Sequence, residues 1–455
     1  MKNFFYLIGG TSIAQLVIIL ASPILARVFT PEDFGSFAIL TTVVYILTAL
    51  SCLRLDVAIL SSRSDLELSW LFKKSLTILV TMIMFITLIL FAFYYLIGSY
   101  LEILIFIPLM VFLSGFFNIL NNLTLRLQNT HLNAKSKIMQ SGGGALSQLI
   151  LGFQGLGFKG MVLGQILGFV YSITYLTKKN FLHFKNIFFV SNKSYKIIDY
   201  KKYIIYDSIG AVFSVVANHI PTLLISLLLG KSFGGSYYMA YRVLMLPVAV
   251  ISISISQFIG SKYTEWKSKG VYHKNLSKIL YCLSVLVFIP SFLLIDFLPD
   301  IFSYVLGGQW VLAGEIAAIS IIWIAVKFIF ESLVITFSLD NGQKIGLLFQ
   351  AFLTLVRVSA IFIGWRLGLD SFIIMKIFCI ISFLSYFFGL ILISFINKIN
   401  MLLSIKSFAI GVTGYFFIYI ASDNFLLKLI FLGIYTLIWA FLSRNMLKIA
   451  KDILL

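Results

Sequence analysis

The chain has 455 residues, 60% of them hydrophobic and only 11% charged, where a soluble domain would be about half apolar and about a quarter charged. That balance excludes a water-soluble globular protein and leaves room for a dozen or more crossings at about 20 apolar residues each. The net charge of +18 has to be weighed first against the tendency of Lys and Arg to remain in cytoplasmic loops.

In chain order, charge-poor runs bounded by charged or turn-rich stretches predict fourteen helices, near 5–28, 35–60, 75–97, 102–123, 137–155, 158–177, 204–229, 234–259, 279–298, 312–338, 343–365, 372–396, 405–421 and 425–443. The runs are continuous and do not alternate, so they read as helices and not as barrel strands. The first, Asn3 to Ala26, is too long for a signal-peptide core and lacks a small-residue cleavage site, so it is expected to stay as the first span.

With the N-terminus inside, 25 of the 35 basic residues fall on one side, five on the other and five within spans. The inside set holds the run Lys178, Lys179, Lys185, Lys193, Lys196, Lys201 and Lys202. Both termini are therefore expected in the cytoplasm, and the excess charge is a topology signal, not a nucleic-acid surface. Cys52, Cys282 and Cys379 are far apart with no Cys/His cluster, so no metal site, disulfide framework or cofactor is expected.

Two short echoes suggest a parallel repeat. Pro23–Ile39 resembles Pro221–Met239 at an offset near 200, and Gly152–Lys159 resembles Gly364–Asp370 at an offset near 212. The predicted organisation is an N-terminal six-helix bundle (1–177), a basic cytoplasmic linker (178–202), a second six-helix bundle (203–396), and two additional helices with a tail (397–455). Parallel repeats of this kind mark transporters that rock two bundles about a central site.

The stretches Leu25–Leu40 (LARVFTPEDFGSFAIL), Leu53–Leu60 (LRLDVAIL), Asn218–Phe258 and Leu306–Gly314 (LGGQWVLAG) resemble the polysaccharide-unit flippases, the Wzx-type O-antigen exporters of the multidrug/oligosaccharidyl-lipid/polysaccharide exporter superfamily. The TPEDFG and GSYYMAYRVLMLP patterns carry most of the likeness. Asp56 departs from it, since the family more often has Glu two residues after the arginine. The resemblance implies a non-enzymatic, multi-pass protein of the bacterial inner membrane. Such a protein moves an undecaprenyl-diphosphate-linked oligosaccharide, an O-antigen or related surface-polysaccharide unit, from the cytoplasmic to the periplasmic leaflet. Its implied partners are that lipid-linked substrate, the bilayer and other polysaccharide-assembly membrane proteins. A drug or cation exporter of the same superfamily is the second reading and a polytopic polymerase the third. The outside loops are too short for a catalytic domain.

Five basic residues lie within predicted spans: Arg54, Arg242, Lys327, Arg357 and Lys376. A charge in hydrocarbon costs several kcal/mol unless it finds a partner or a wet cavity, and a guanidinium matches diphosphate oxygens bidentately. Arg54, Arg242 and Arg357 are therefore candidate anion ligands, with a structural ion pair as the alternative. Gln343, Gln350, Thr354 and Arg357 share one helical face, as do Asp207, Gly210, Ser214 and Asn218, and Thr11, Gln15 and Ser22. Gln350, Asn218 and Gln15 join the candidate cavity set on that ground, with interhelical hydrogen bonding as the alternative. Ion coupling would use an intramembrane carboxylate. Asp207 is the first candidate, followed by Asp56 and Glu331, the last paired with Lys327 four residues earlier. Arg54 and Asp56, two apart on a continuous helix, should point opposite ways.

Overall fold

A computed structural model describes residues 2–97, 105–181, 195–339, 343–420 and 425–454. Every described element is helical, and no strand occurs among the described residues. The chain is an all-α, multi-pass membrane protein: among the described residues eleven helices are long and apolar enough to cross a bilayer. Most of the fourteen expected spans fall on helix over their described residues, and those over 35–60 and 234–259 are interrupted. Contacts divide the chain into two compact units, Met1–Tyr238 and Met239–Leu455.

The first unit contains α1 (Lys2–Val28), α2 (Pro31–Ser51), α3 (Leu55–Ala58), α4 (Asp65–Ile97), α5 (Phe106–Arg126), α6 (Thr130–Phe153), α7 (Gly157–Lys179), α8 (Ser208–Leu228) and the start of α9 (Lys231–Leu244). The TPEDFG motif explains how α2 begins. Thr30 is the N-cap, its hydroxyl accepting from the Asp33 amide at 3.2 Å, and Pro31 stands in the first turn, where a missing N–H costs nothing. The Asp33 carboxylate closes the box by accepting from the Thr30 amide at 3.0 Å and hydroxyl at 2.8 Å. Its other oxygen accepts from the Phe158 amide at 2.8 Å, which ties the start of α2 to the start of α7.

The repeat of offset 200 is visible in the backbone. α1 ends at Val28 and α2 restarts at Pro31, while α8 ends at Leu228 and α9 restarts at Lys231. The two restarts cross reciprocally. A Cβ added at Gly35 would overlap the Lys231 carbonyl oxygen, and one added at Gly235 would overlap the Pro31 carbonyl oxygen. Pro31 and Lys231, like Gly35 and Gly235, are repeat-equivalent, so one local pseudo-twofold contact is built from both halves of the sequence. It requires glycine because two backbones touch. The second echo also has a shared shape: Gly155 before α7 and Gly368 after α15 (Gln343–Arg366) both take positive φ, +77° and +67°.

Helices α6 and α7 pack through a stripe of small residues, with Gly168 against the Gln140 carbonyl and Gly164 against Gln148. Here the polar residues act as interhelical glue, the buried Gln148 side chain donating to the Met161 carbonyl at 3.0 Å.

The expected helix over 35–60 is broken. Leu53 and Arg54 both have left-handed backbone, φ 47° and 59°, and the chain resumes as the short α3 and a 3₁₀ turn at Ile59–Ser61. Two consecutive non-glycine residues in this region cost of order 1–3 kcal/mol each. A buried core of Cys52, Leu55, Ala58, Ile59, Leu71, Phe72, Leu120 and Tyr200 holds the turn in place.

The second unit takes up the rest of α9, a π-helical turn at Val248–Ser252 after Pro247, α10 (Ile253–Ser268), α11 (Tyr272–Leu294), α12 (Leu298–Leu306), α13 (Val311–Leu333), α14 (Ile335–Leu339), α15, α16 (Ser371–Ile396), α17 (Leu402–Ile420) and α18 (Phe425–Leu454). The expected span over 234–259 is thus interrupted, because Pro247 lacks the N–H that would continue the α-helical ladder. The C-terminal pair packs on α11, where the Trp439 indole donates to the Val285 carbonyl at 3.1 Å.

Candidate functional site

In the first unit the left-handed turn presents Arg54 beside Asp56. The turn replaces the continuous helix, and the Arg54 guanidinium is within electrostatic reach of the Asp56 carboxylate. The continuous helix on which the two were expected to point apart ends at Ser51. Asp56 is 7% exposed and accepts from the Asn122 amide nitrogen of α5 at 3.3 Å. Arg54 is half-buried, and its Nε is buried without a hydrogen-bond partner. A buried unpaired donor is costly, so this guanidinium keeps unused hydrogen-bonding capacity. Four residues past Asn122, the Arg126 Nε donates to the Ser62 carbonyl at 2.9 Å and accounts for the other side of the same loop.

Asp207, the first candidate for ion coupling, is exposed at the end of a π-helical turn (Lys202–Asp207) ahead of α8. The chemistry expected of it needs a desolvated acid, and in this unit the desolvated one is Asp56. Gln15 and Asn218 are half-buried, and Asn218 donates to the Ser214 carbonyl at 2.9 Å. The neighbouring His219 ring lies 4.9 Å from that of Tyr45 on α2.

In the second unit the structure gathers residues that are far apart in the chain. Arg357 is 1% exposed, its guanidinium carbon 5.1 Å from the Trp323 ring centroid, 4.9 Å from Phe378 and 5.8 Å from Tyr386, and its Nε donates to the Ser382 hydroxyl at 3.0 Å. Lys327, also 1% exposed, donates to the Tyr241 hydroxyl at 3.1 Å and lies 5.7 Å from the Tyr386 ring. Trp323 stacks between Tyr241 and Tyr386, at 6.2 Å and 6.1 Å. Desolvated cations over aromatic faces gain about 2 kcal/mol or more per contact, which is how two positive charges share one buried cluster. Glu331, half-buried one turn after Lys327, is within electrostatic reach of it.

Arg242 is half-buried and follows Tyr241 directly on α9, so the cluster that holds Tyr241 also sets the orientation of this part of the helix. Gln350 is half-buried on α15, its carbonyl accepting from the Thr354 hydroxyl at 2.8 Å. The sequence reading picked Arg357 and Lys327 but not their aromatic partners. Phe378 and Tyr386 are eight apart on α16 and share a face, a signal available in advance, whereas nothing in the sequence pairs that face with Trp323 and Tyr241. No group of three or more His, Cys, Asp or Glu arranged to hold a metal occurs among the described residues.

The chain matches the family described as Polysaccharide biosynthesis protein over residues 24–314. Among curated proteins none matches the sequence. Of solved structures, the lipid II flippase MurJ in an inward closed conformation is similar with a TM-score of 0.71 and 15% identity, covering 96% of this chain and 98% of that one. A multidrug resistance MATE family transporter of the MOP superfamily is similar in its outward-facing conformation with a TM-score of 0.58 and 14% identity, covering 87% and 96%. An inward-facing conformation of such a transporter gives 0.55 and 16%, covering 84% and 96%. At these identities the likeness is one of fold.

Proposed function

Since the chain belongs to the family of polysaccharide biosynthesis proteins, we propose that it flips a lipid-diphosphate-linked oligosaccharide, an O-antigen or related surface-polysaccharide unit, from the cytoplasmic to the periplasmic leaflet of a bacterial inner membrane. The observation that carries this reading is the sign of the charge buried in the second unit: Lys327 and Arg357 are enclosed there and Arg242 stands half-buried beside Tyr241. A cation exporter would want that excess reversed, while a diphosphate is drawn to it. The substrate contacts in this account are Arg242 with Gln350 in the second unit and Arg54 with Gln15 and Asn218 in the first, each taken within its own unit. Arg357 and Lys327 supply positive potential, and Lys327 holds α9 through Tyr241. No covalent step is involved. Both termini are cytoplasmic in this topology, in line with the 25-to-five split of basic residues. If the cycle is ion-coupled, Asp56 is the carboxylate whose burial suits loading and release of a cation, ahead of Asp207 and Glu331.

The test is deletion of the gene. Lipid-linked oligosaccharide should accumulate on the cytoplasmic side while surface polysaccharide is lost. Unchanged surface polysaccharide with no accumulation would reject the reading.

A further inference from the structure

We infer that residues 195–207 form a two-faced strap, clasped to the first unit on one side and docking on the anionic headgroup layer of the bilayer with the other. The clasp is made by three tyrosines. The Tyr195 and Ser64 hydroxyls are 3.3 Å apart, the Tyr200 hydroxyl donates to the Glu67 carboxylate at 2.6 Å, and the Tyr203 and Ser61 hydroxyls are 3.0 Å apart. Trp70 stacks on Tyr200 at 5.4 Å. Tyr200 is 8% exposed within the core that also contains Leu55, Ala58 and Phe72. Burial and the Glu67 carboxylate both raise the Tyr200 phenol, so it stays protonated and keeps donating.

These contacts also locate the strap. Ser61 and Ser64 lie in the loop between the span that ends at Ser51 and the one that starts at Asp65, and Glu67 is in the first turn of the latter. An element pinned to the loop between two spans sits where the hydrocarbon gives way to headgroups. What it presents away from the clasp suits that level. Ile197 and Ile198 are 43% and 66% exposed, flanked by exposed Lys196 and Lys201. Exposed Lys178 and Lys179 end α7 in the same unit. Of the two exposed acids of this stretch, Asp199 is occupied locally, accepting from the Lys196 amide at 3.1 Å, and Asp207 stands at the far end beside α8. Adjacent apolar side chains with lysines beside them match a layer that offers shallow hydrocarbon and negative headgroups together. Charge complementarity thus selects anionic phospholipid over the zwitterionic kind. The inference concerns a surface and does not depend on what the protein transports.

Hydrogen exchange of the full-length protein tests it in nanodiscs of phosphatidylcholine alone or with about 30% phosphatidylglycerol, where exchange of the 196–201 peptide should be slowed at least about threefold by the anionic lipid. The Lys196→Glu/Lys201→Glu variant should lose that protection while the 61–70 peptide exchanges as before, which shows the clasp intact. Ile198→Ser should weaken the protection in the same discs and serves as a second variant should the first express poorly. Equal exchange in both lipids, protection that survives the glutamate substitutions, or protection that arises only on adding a soluble cell extract would each overturn the proposal.

Discussion

Valine at position 235 is expected to abolish surface-polysaccharide export and to lower the melting temperature of the purified protein sharply. The added Cβ would overlap the Pro31 carbonyl oxygen, which sits in a capped first turn and cannot yield. Overpacking against backbone costs about 3 kcal/mol and can exceed it. Valine at Gly35 should do the same through Lys231, because the contact is reciprocal. Gly433→Ala, where the new Cβ meets open space, should be neutral or slightly stabilising, since alanine is the better helix former by about 1 kcal/mol. Wild-type export and melting in both valine variants would mean that this crossing is not a feature of the folded protein.

Arg357→Ala should act through stability, and Arg242→Ala through transport. Removing the Arg357 side chain leaves a hollow among Trp323, Phe378 and Tyr386 and takes a partner from Ser382. Large-to-small truncations of a fully buried side chain cost about 2–5 kcal/mol. Lysine at 357 should recover part of this, because it keeps the charge but lacks the planar stack and the Nε donor. Arg242, half-buried, has no comparable enclosure, so its alanine variant should melt within about 1 kcal/mol of wild type yet fail to export. Thermal unfolding in detergent together with export in cells separates the two. If Arg357→Ala melts like wild type and only transport is lost, Arg357 is itself a substrate contact.

Much of this architecture was legible in the residues. Long charge-poor runs give spans directly, and the echo of Pro23–Ile39 in Pro221–Met239 falls where α1 gives way to α2 and α8 to α9, the place where Gly35 and Gly235 cross. The break at Leu53 and Arg54 was not legible, because left-handed backbone usually announces itself through Gly or Asn, and here a tertiary core enforces it on leucine and arginine. A polar stripe on a helical wheel identified Arg357 but could not say what would pack against it. Rings from two other helices do so, and that information lies in residues up to about 34 positions away. Asp207 stands ahead of Asp56 in the sequence pattern for the same reason, since burial is set by tertiary packing, which encloses Asp56 beside Asn122 of α5 and leaves Asp207 exposed.

The claim that the protein carries a lipid-diphosphate-linked oligosaccharide across the bilayer is tested most directly in proteoliposomes. The purified chain would be reconstituted with radiolabelled undecaprenyl-diphosphate-linked oligosaccharide, and the outer leaflet oxidised with membrane-impermeant periodate. In vesicles without protein about half of the sugar, the inner-leaflet share, should remain protected, and with the wild-type protein that share should be oxidised as well, at least about tenfold faster than with Arg242→Ala, the effect of losing a charge contact of about 1.4 kcal/mol or more. Protection of the same half in the presence of correctly folded protein would contradict the account.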